Sequence, residues 1–184
     1  MSRIHGSPLS VRRPRGVTLI ESVIVMAIVS LGLALGLPSF RSLVEQQRTQ
    51  TAMHLLSAGF ASARIAAVSG NTLVTVCPSN GLGGCRSGSD WSQGWLIFRD
   101  PRGTGQPASA AAIVREESAS LDSSLRFVST QGRPRIRFLP DGRSAGSNIT
   151  VTLCRGGESL GQVVVNNLGR VRSTRPGDSK YCAG

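Results

Sequence analysis

The sequence predicts an α+β fold in which one long N-terminal helix packs on an antiparallel β-sheet. A long apolar run leads into a segment with helical periodicity and no proline. After residue 70 the pattern changes to short β-branched or aromatic runs separated by turn residues. The length of 184 residues suits one domain with a core, plus an appendage.

The N-terminus has the pattern of a targeting segment followed by a membrane anchor. Residues 1–16 contain four arginines and no acid, and Ser22–Phe40 is a run of 19 residues without a charge. About 20 apolar residues cross a hydrocarbon core as a helix, and arginines before such a run predict that the following domain is translocated. Glu21 stands just inside the run, where a carboxylate is costly and indicates a specific role.

The helix is predicted to continue beyond the anchor, from Val17 to Ser69. An apolar stripe at helical spacing marks its second half. The stripe consists of Leu55, Leu56, Phe60, Ala63 and Ala67. Gly70-Asn71 is the predicted stop. His54 lies within this helix without a pattern of other ligands, so we interpret it as a surface or packing residue.

Seven runs after the helix have the composition of strands. They are Leu73–Cys77, Trp95–Phe98, Ala112–Val114, Leu125–Val128, Arg135–Leu139, Ile149–Cys154 and Val163–Val165. Asn166–Gly169 reads as a hairpin turn into one further strand. Trp91 and Trp95 are predicted to anchor the core where the sheet meets the helix.

Four cysteines, Cys77, Cys85, Cys154 and Cys182, favour disulfides in a domain delivered outside the inner membrane. Three connectivities are possible, and proximity in sequence favours Cys77–Cys85 with Cys154–Cys182. The alternative of a zinc site lacks a CxxC pair, and the chain has only two histidines. We see no catalytic constellation and expect a non-enzyme without cofactor or metal.

The segment RPRGVTLIE, Arg13–Glu21, resembles the leader of type IV pilins and pseudopilins. The resemblance implies that a prepilin peptidase cuts after Gly16 and methylates the new N-terminus at Val17. It also implies that Glu21 neutralises the amine of a neighbouring subunit in the filament.

This resemblance implies four regions. Residues 1–16 are a cleaved leader, 17–40 the transmembrane and filament-core half of the helix, 41–69 its amphipathic half, and 70–184 a β-rich globular domain. The expected partners are therefore the peptidase, other pilin subunits and the inner membrane. The chain would be a single-pass membrane protein before assembly and would then lie in the periplasm and at the cell surface in the pilus.

The segment DWSQGWLIFRD, Asp90–Asp100, resembles the W…GW signature of the GspH/FimT branch of minor pilins and pseudopilins. Together with the leader, it implies a type IV pilin-like fold with a GspH/FimT-type domain.

The net charge of +11 is unevenly distributed. Residues 17–125 contain seven arginines and seven acids, whereas residues 126–184 contain nine arginines and one lysine against three acids. Removal of the four leader arginines would leave a mature charge of +7, all of it in the last third. A field of one sign concentrates a polyanion, although a solvated basic surface is the ordinary alternative.

Alternating arginines in the last third would line one face of a strand, about 7 Å apart, comparable to successive phosphates. GRVR, Gly169–Arg172, resembles a GRxR motif of FimT-type minor pilins. In that group the motif is associated with DNA binding during natural transformation. We therefore expect binding of double-stranded DNA without sequence readout. The candidate residues are Arg170, Arg172, Arg175, Lys180, Arg133, Arg135 and Arg137, with Gly169 as part of the motif. The alternatives are a structural minor pilin that primes pilus assembly and a minor pseudopilin of type II secretion.

Overall fold

The computed structural model describes residues 16–118, 124–174 and 182. The chain divides into two compact units, Met1–Val44 and Glu45–Gly184. One helix, α1, covers Leu19–Ser69. The eight strands are β1 Val74–Pro78, β2 Gly94–Arg99, β3 Ile113–Ser118, β4 Leu125–Ser129, β5 Ile136–Phe138, β6 Ile149–Arg155, β7 Glu158–Val165 and β8 Val171–Thr174.

In the first unit, α1 begins with a capping arrangement that the Thr18–Glu21 sequence encodes. The backbone N–H of Glu21 donates to Oγ1 of Thr18 at 3.3 Å, as in the Thr-x-x-Glu capping box. Large apolar side chains between Val17 and Leu33 are more than half exposed. Among the residues that the structure describes, no helix contains a stretch long and apolar enough to count as a membrane span.

In the second unit, the strands form two antiparallel four-stranded sheets rather than the single sheet expected from the sequence. The first sheet has the order β3-β2-β1-β5, and the second has the order β4-β6-β7-β8. The sheets are separate because β5 pairs with β1, with Val76 opposite Ile136, and not with its sequence neighbour β4. Strand β4 pairs with β6 instead. The predicted combination of a long helix and antiparallel β-structure is confirmed.

The buried face of α1 packs with both sheets in one core. Leu56, Phe60, Ala63 and Ala67 are fully buried, as the stripe predicts. Leu55 was wrongly included in this stripe, because it is exposed, and Ala52 and Met53 are buried instead. His54 is exposed. Burial of large apolar side chains contributes about 1.5 to 3 kcal/mol each, so this face is a main source of stability.

Both tryptophans are fully buried, as predicted. Trp91 packs edge-on against Phe60 of α1, with ring centroids 5.8 Å apart. Trp95 packs in the same manner against Phe127, and it approaches the helix so closely that a Cβ on Gly59 would lie 2.6 Å from the indole nitrogen. The tryptophans therefore connect the helix to both sheets.

Candidate functional site

The turn between β7 and β8, residues 166–169, is closed by its own hydrogen bonds. The N–H of Gly169 donates to the carbonyl oxygen of Asn166 at 2.8 Å, and Oδ1 of Asn166 accepts from the N–H of Arg170 at 2.9 Å. The N–H of Asn166 also donates to the carbonyl oxygen of Arg170 at 3.2 Å. Asparagine therefore fixes the backbone from which Arg170 projects.

Gly169 is required by two features of this turn. Its φ is +72°, in the left-handed region that favours glycine. A Cβ at this position would also overlap the carbonyl oxygen of Gly142, in the loop that joins β5 to β6. A hydrogen bond of 3.0 Å from the N–H of Ser144 to the carbonyl oxygen of Asn167 joins the same two segments. The turn is thus held against a second loop.

Arg170 and Arg172 are exposed on either side of Val171, which packs partly buried against the core. Arg172 lies opposite Val164 of β7, and β8 is the outer strand of its sheet. Residues two apart on an extended chain share a face, and Arg170 directly precedes β8, so we expect the two arginines to project to the same side, about 7 Å apart. Neither guanidinium group has a hydrogen bond or ion pair within the described residues.

The other predicted arginine group is placed differently. Only Arg137 lies within a strand, β5, and that strand belongs to the first sheet rather than the sheet of β8. Arg133, Arg135 and Arg137 are half-buried. Nη2 of Arg133 donates to the carbonyl oxygen of Ser147.

Arg135 and Arg137 both bind the segment Asp100–Gly105. Nη1 of Arg135 donates to the carbonyl oxygen of Gly105, and Nη2 of Arg137 to that of Gly103, both at 3.2 Å. These guanidinium groups therefore use donors within the fold, unlike those of Arg170 and Arg172. The structure does not bring the two predicted groups into one row.

Asp100 builds this segment, and sequence analysis gave it no such role. Asp100 is only 2% exposed, and its carboxylate accepts four hydrogen bonds. They come from Oγ1 of Thr75 at 2.9 Å, from N and Oγ1 of Thr104 at 2.8 and 3.1 Å, and from N of Gly105 at 2.8 Å. The Asp-Pro-Arg-Gly sequence signals a turn, but the burial of its first residue depends on β1.

Two further arginines of the basic third are ion-paired. Nε of Arg143 lies 2.6 Å from Oδ2 of Asp141, and Nη1 of Arg155 lies 2.7 Å from Oε2 of Glu45 on α1. The backbone N–H and the guanidinium group of Arg143 lower the pKa of Asp141. Because Glu45 lies outside the basic third, its pair with Arg155 reduces the positive field beyond what the sequence count suggests.

Arg126 of β4 lies near an acid from the neutral part of the chain. Partial burial raises the pKa of Asp90, but hydrogen bonds from Oγ and N of Ser92 and the charges of Arg126 and Arg86 outweigh it, so the pKa is lowered overall. Arg126 therefore helps to stabilise a carboxylate.

Several predicted site residues lie outside the described residues. They are Arg175, Lys180 and the leader residues before Gly16. Gly16, Val17 and Glu21 are described and exposed.

The four cysteines form two disulfides, Cys77–Cys85 and Cys154–Cys182, with Cα–Cα distances of 5.6 and 6.0 Å. This is the pairing that proximity in sequence favours. The N–H of Cys182 also donates to the carbonyl oxygen of Gly157 at 2.9 Å, so Cys182 is bound to the turn between β6 and β7. In the described part of the chain, no group of three or more His, Cys, Asp or Glu side chains could hold a metal ion.

Two family models match the sequence, one at the N-terminal motif and one over the end of α1 and most of the β-rich region. The model of the type II transport protein GspH matches residues 52–169, and the model of the prokaryotic N-terminal methylation motif matches residues 11–37. No curated protein matches the sequence.

Two solved structures show the same fold. The type IV minor pilin FimU of Pseudomonas aeruginosa aligns with a TM-score of 0.58 and 19% identity, over 75% of this chain and 95% of FimU. The minor pseudopilin EpsH of the Vibrio cholerae type II secretion system aligns with a TM-score of 0.51 and 10% identity, over 73% of this chain and 98% of EpsH. Because the GspH model covers more than half of the sequence, the chain belongs to the GspH/FimT family of type IV pilin-like proteins.

Proposed function

We propose that this chain is a minor pilin that binds double-stranded DNA through Arg170 and Arg172 during DNA uptake for natural transformation. The observation that carries the proposal is the contrast in the use of the arginines. In the basic third, Arg170 and Arg172 are exposed and have no partner among the described residues, and they project from a turn fixed by Gly169 and Asn166.

The chemistry of this surface suits phosphate rather than bases. A guanidinium group is always charged and binds phosphate through two parallel hydrogen bonds. A spacing of about 7 Å between neighbouring arginines on a strand is comparable to that of successive phosphates. Such contacts carry no sequence information, so binding is independent of sequence and weakens steeply with salt.

The remaining predicted DNA-binding residues have a secondary place in this proposal. Arg175 and Lys180 follow β8 in the sequence and lie outside the described residues, and we keep them as candidate phosphate-binding residues. Arg133, Arg135 and Arg137 add to the positive field, but their hydrogen bonds to loop carbonyls leave them fewer donors for phosphate.

The N-terminal region delivers this surface to the outside of the cell. The methylation-motif match supports cleavage after Gly16 and methylation of Val17 by a prepilin peptidase. Residues 17–40 then anchor the chain in the inner membrane and later lie in the filament core, where Glu21 pairs with the amine of a neighbouring subunit.

Mass spectrometry of the mature protein should give Val17 as an N-methylated first residue, and any other N-terminus refutes this processing.

Two structural functions compete with DNA binding. FimU is a type IV minor pilin and EpsH a minor pseudopilin of a type II secretion system. In a structural minor pilin, the arginines would contact neighbouring subunits, whereas a pseudopilin would use the same fold in protein secretion. Minor-pilin or secretion genes beside the gene for this chain would distinguish these two systems.

The test combines binding with function in the cell. The full chain, in a non-ionic detergent, should shift duplex DNA of unrelated sequences equally, and less at about 200 mM than at about 50 mM salt. Arg170→Gln/Arg172→Gln should remove most of the shift, and the same change in the chromosomal gene should lower transformation while pili are still assembled. Unchanged binding by the variant would refute the assigned site. Absence of binding by the unmodified chain, or loss of pili in the variant strain, would favour the structural functions.

A further inference from the structure

Arg64 of α1 lies against the turn that presents Arg170. Its Nε donates to the carbonyl oxygen of Gly142 at 2.9 Å, and a Cβ on Gly169 would lie 3.2 Å from the same nitrogen. Consecutive Cα atoms are about 3.8 Å apart, so Arg170 begins one residue away from this contact. A helix residue distant in sequence thus adjoins the GRVR segment.

The charge of Arg64 is available at this position. The side chain is exposed, and among the described residues neither of its terminal Nη atoms has a hydrogen-bond partner or ion pair. The acid beside Gly142, Asp141, is engaged by Arg143 at 2.6 Å. Because a guanidinium group has five N–H donors, the bond to Gly142 leaves four unused.

We propose that Arg64 is a third phosphate-binding residue of this surface, an inference that rests on the proposed DNA-binding function. Its Nε holds the loop of Gly142 beneath Gly169, while its terminal nitrogens bind a DNA phosphate beside the one bound by Arg170. The surface is then built from two elements, α1 and the β7–β8 turn. The candidate positions chosen from the sequence all lie in the last third of the chain and omit it.

Three variants of the full chain, in a non-ionic detergent, test this role. Arg64→Gln removes the charge. Arg64→Lys keeps the charge but loses Nε, so it reports the cost of losing the bond to Gly142 alone. Arg86→Gln is the control of matched charge, because Arg86 is exposed and lies in the loop after β1. Its N–H donates to the carbonyl oxygen of Pro78, which lies beyond the part of β1 that pairs with β5. Binding of a fluorescent duplex is followed by anisotropy from about 50 to about 200 mM salt.

Arg64→Gln should weaken binding about five- to tenfold and reduce the slope of log K against log salt by about 0.9, the value for one lost phosphate contact. Arg64→Lys should keep the slope of the unmodified chain, and Arg86→Gln should keep both the slope and the affinity. Thermal unfolding of each variant verifies that it is folded. If Arg64→Gln lowers the midpoint of thermal unfolding, the difference in DNA affinity and salt slope between Arg64→Gln and Arg64→Lys still isolates the effect of the charge.

An unchanged slope for Arg64→Gln overturns the inference. The inference is also overturned if Arg64→Gln and Arg64→Lys lose the same DNA affinity and have the same salt slope, because Arg64 would then only position the turn. If Arg170→Gln/Arg172→Gln abolishes binding while Arg64→Gln does not weaken it, this inference fails and the proposed function stands. If the unmodified chain does not bind DNA, the proposed function fails, and this inference fails with it.

Discussion

Two groups of arginines that look alike in the sequence have different roles in the structure. Arg133, Arg135 and Arg137 are half-buried and donate to carbonyl oxygens of loops from distant parts of the chain. Arg170 and Arg172 are exposed and have no such partners within the described residues. Charge counting therefore overestimates the surface available to a polyanion, since part of the positive charge stabilises the fold. Variants of the first group should change stability, and variants of the second should change binding.

The largest expected effect on stability comes from the segment Asp100–Gly105, which Arg135 and Arg137 of the first group bind. Asp100→Ala leaves the buried donors of Thr75 and Gly105 without their acceptor and also removes the bonds from the exposed Thr104, which together costs about 3 kcal/mol or more. Chemical denaturation of the full chain should show this loss. Asp141→Ala, at an exposed ion pair, should leave the midpoint nearly unchanged. Equal losses in both variants would show that the Asp100 loop is not a stabilising element.

A second, smaller loss is expected at the turn that supports the other group. Gly169→Ala combines a left-handed backbone with overlap of the Gly142 carbonyl, at a cost of about 2 to 3 kcal/mol. The shifted turn should also weaken DNA binding. Gly132→Ala is the control, because its φ of +74° is similar but its Cβ would meet nothing within 4 Å. If the two variants lose the same stability, the contact with Gly142 does not constrain the turn.

The smallest effect concerns Asp90, whose carboxylate accepts hydrogen bonds from N and Oγ of Ser92 and is further stabilised by the charges of Arg126 and Arg86. Because the folded-state pKa of Asp90 is lowered, its contribution to stability is present above the unfolded value of about 3.9. That contribution is lost as the pH falls through the lower folded value. Melting midpoints measured from neutral pH downward should therefore differ between the unmodified chain and Asp90→Asn, and should converge in acid. A constant difference at every pH would contradict the assignment.

Much of the fold could be predicted from the sequence because its signals are local. The β-branched runs give most of the strands, and Gly70-Asn71 ends α1 as expected, with Asn71 at φ +43°. The division into two sheets was not predicted, because the pairing of β1 with β5 joins residues about sixty positions apart. Leu55 was misplaced because consecutive residues of a helix point about 100° apart, so it lies off the face that Leu56 and Phe60 share.

The candidate site shows the same limit. The turn and the outward face of Arg170 and Arg172 follow from alternation along one strand. The engagement of Arg135 and Arg137 depends on carbonyls of Gly105 and Gly103, which are remote in sequence. Arg64 was missed for the same reason, because its link to Gly142 spans 78 positions.

The most direct test of the difference between the two groups compares two variants with the same change in charge. Both Arg170→Gln/Arg172→Gln and Arg135→Gln/Arg137→Gln remove two positive charges from the full chain. The first should weaken duplex DNA binding by more than about tenfold and lower the salt slope by about 1.8, with the melting midpoint nearly unchanged. The second should lose about 1 to 2 kcal/mol of stability and keep the salt slope. Equal losses of affinity and slope in the two variants would contradict this account, since binding would then follow net charge alone.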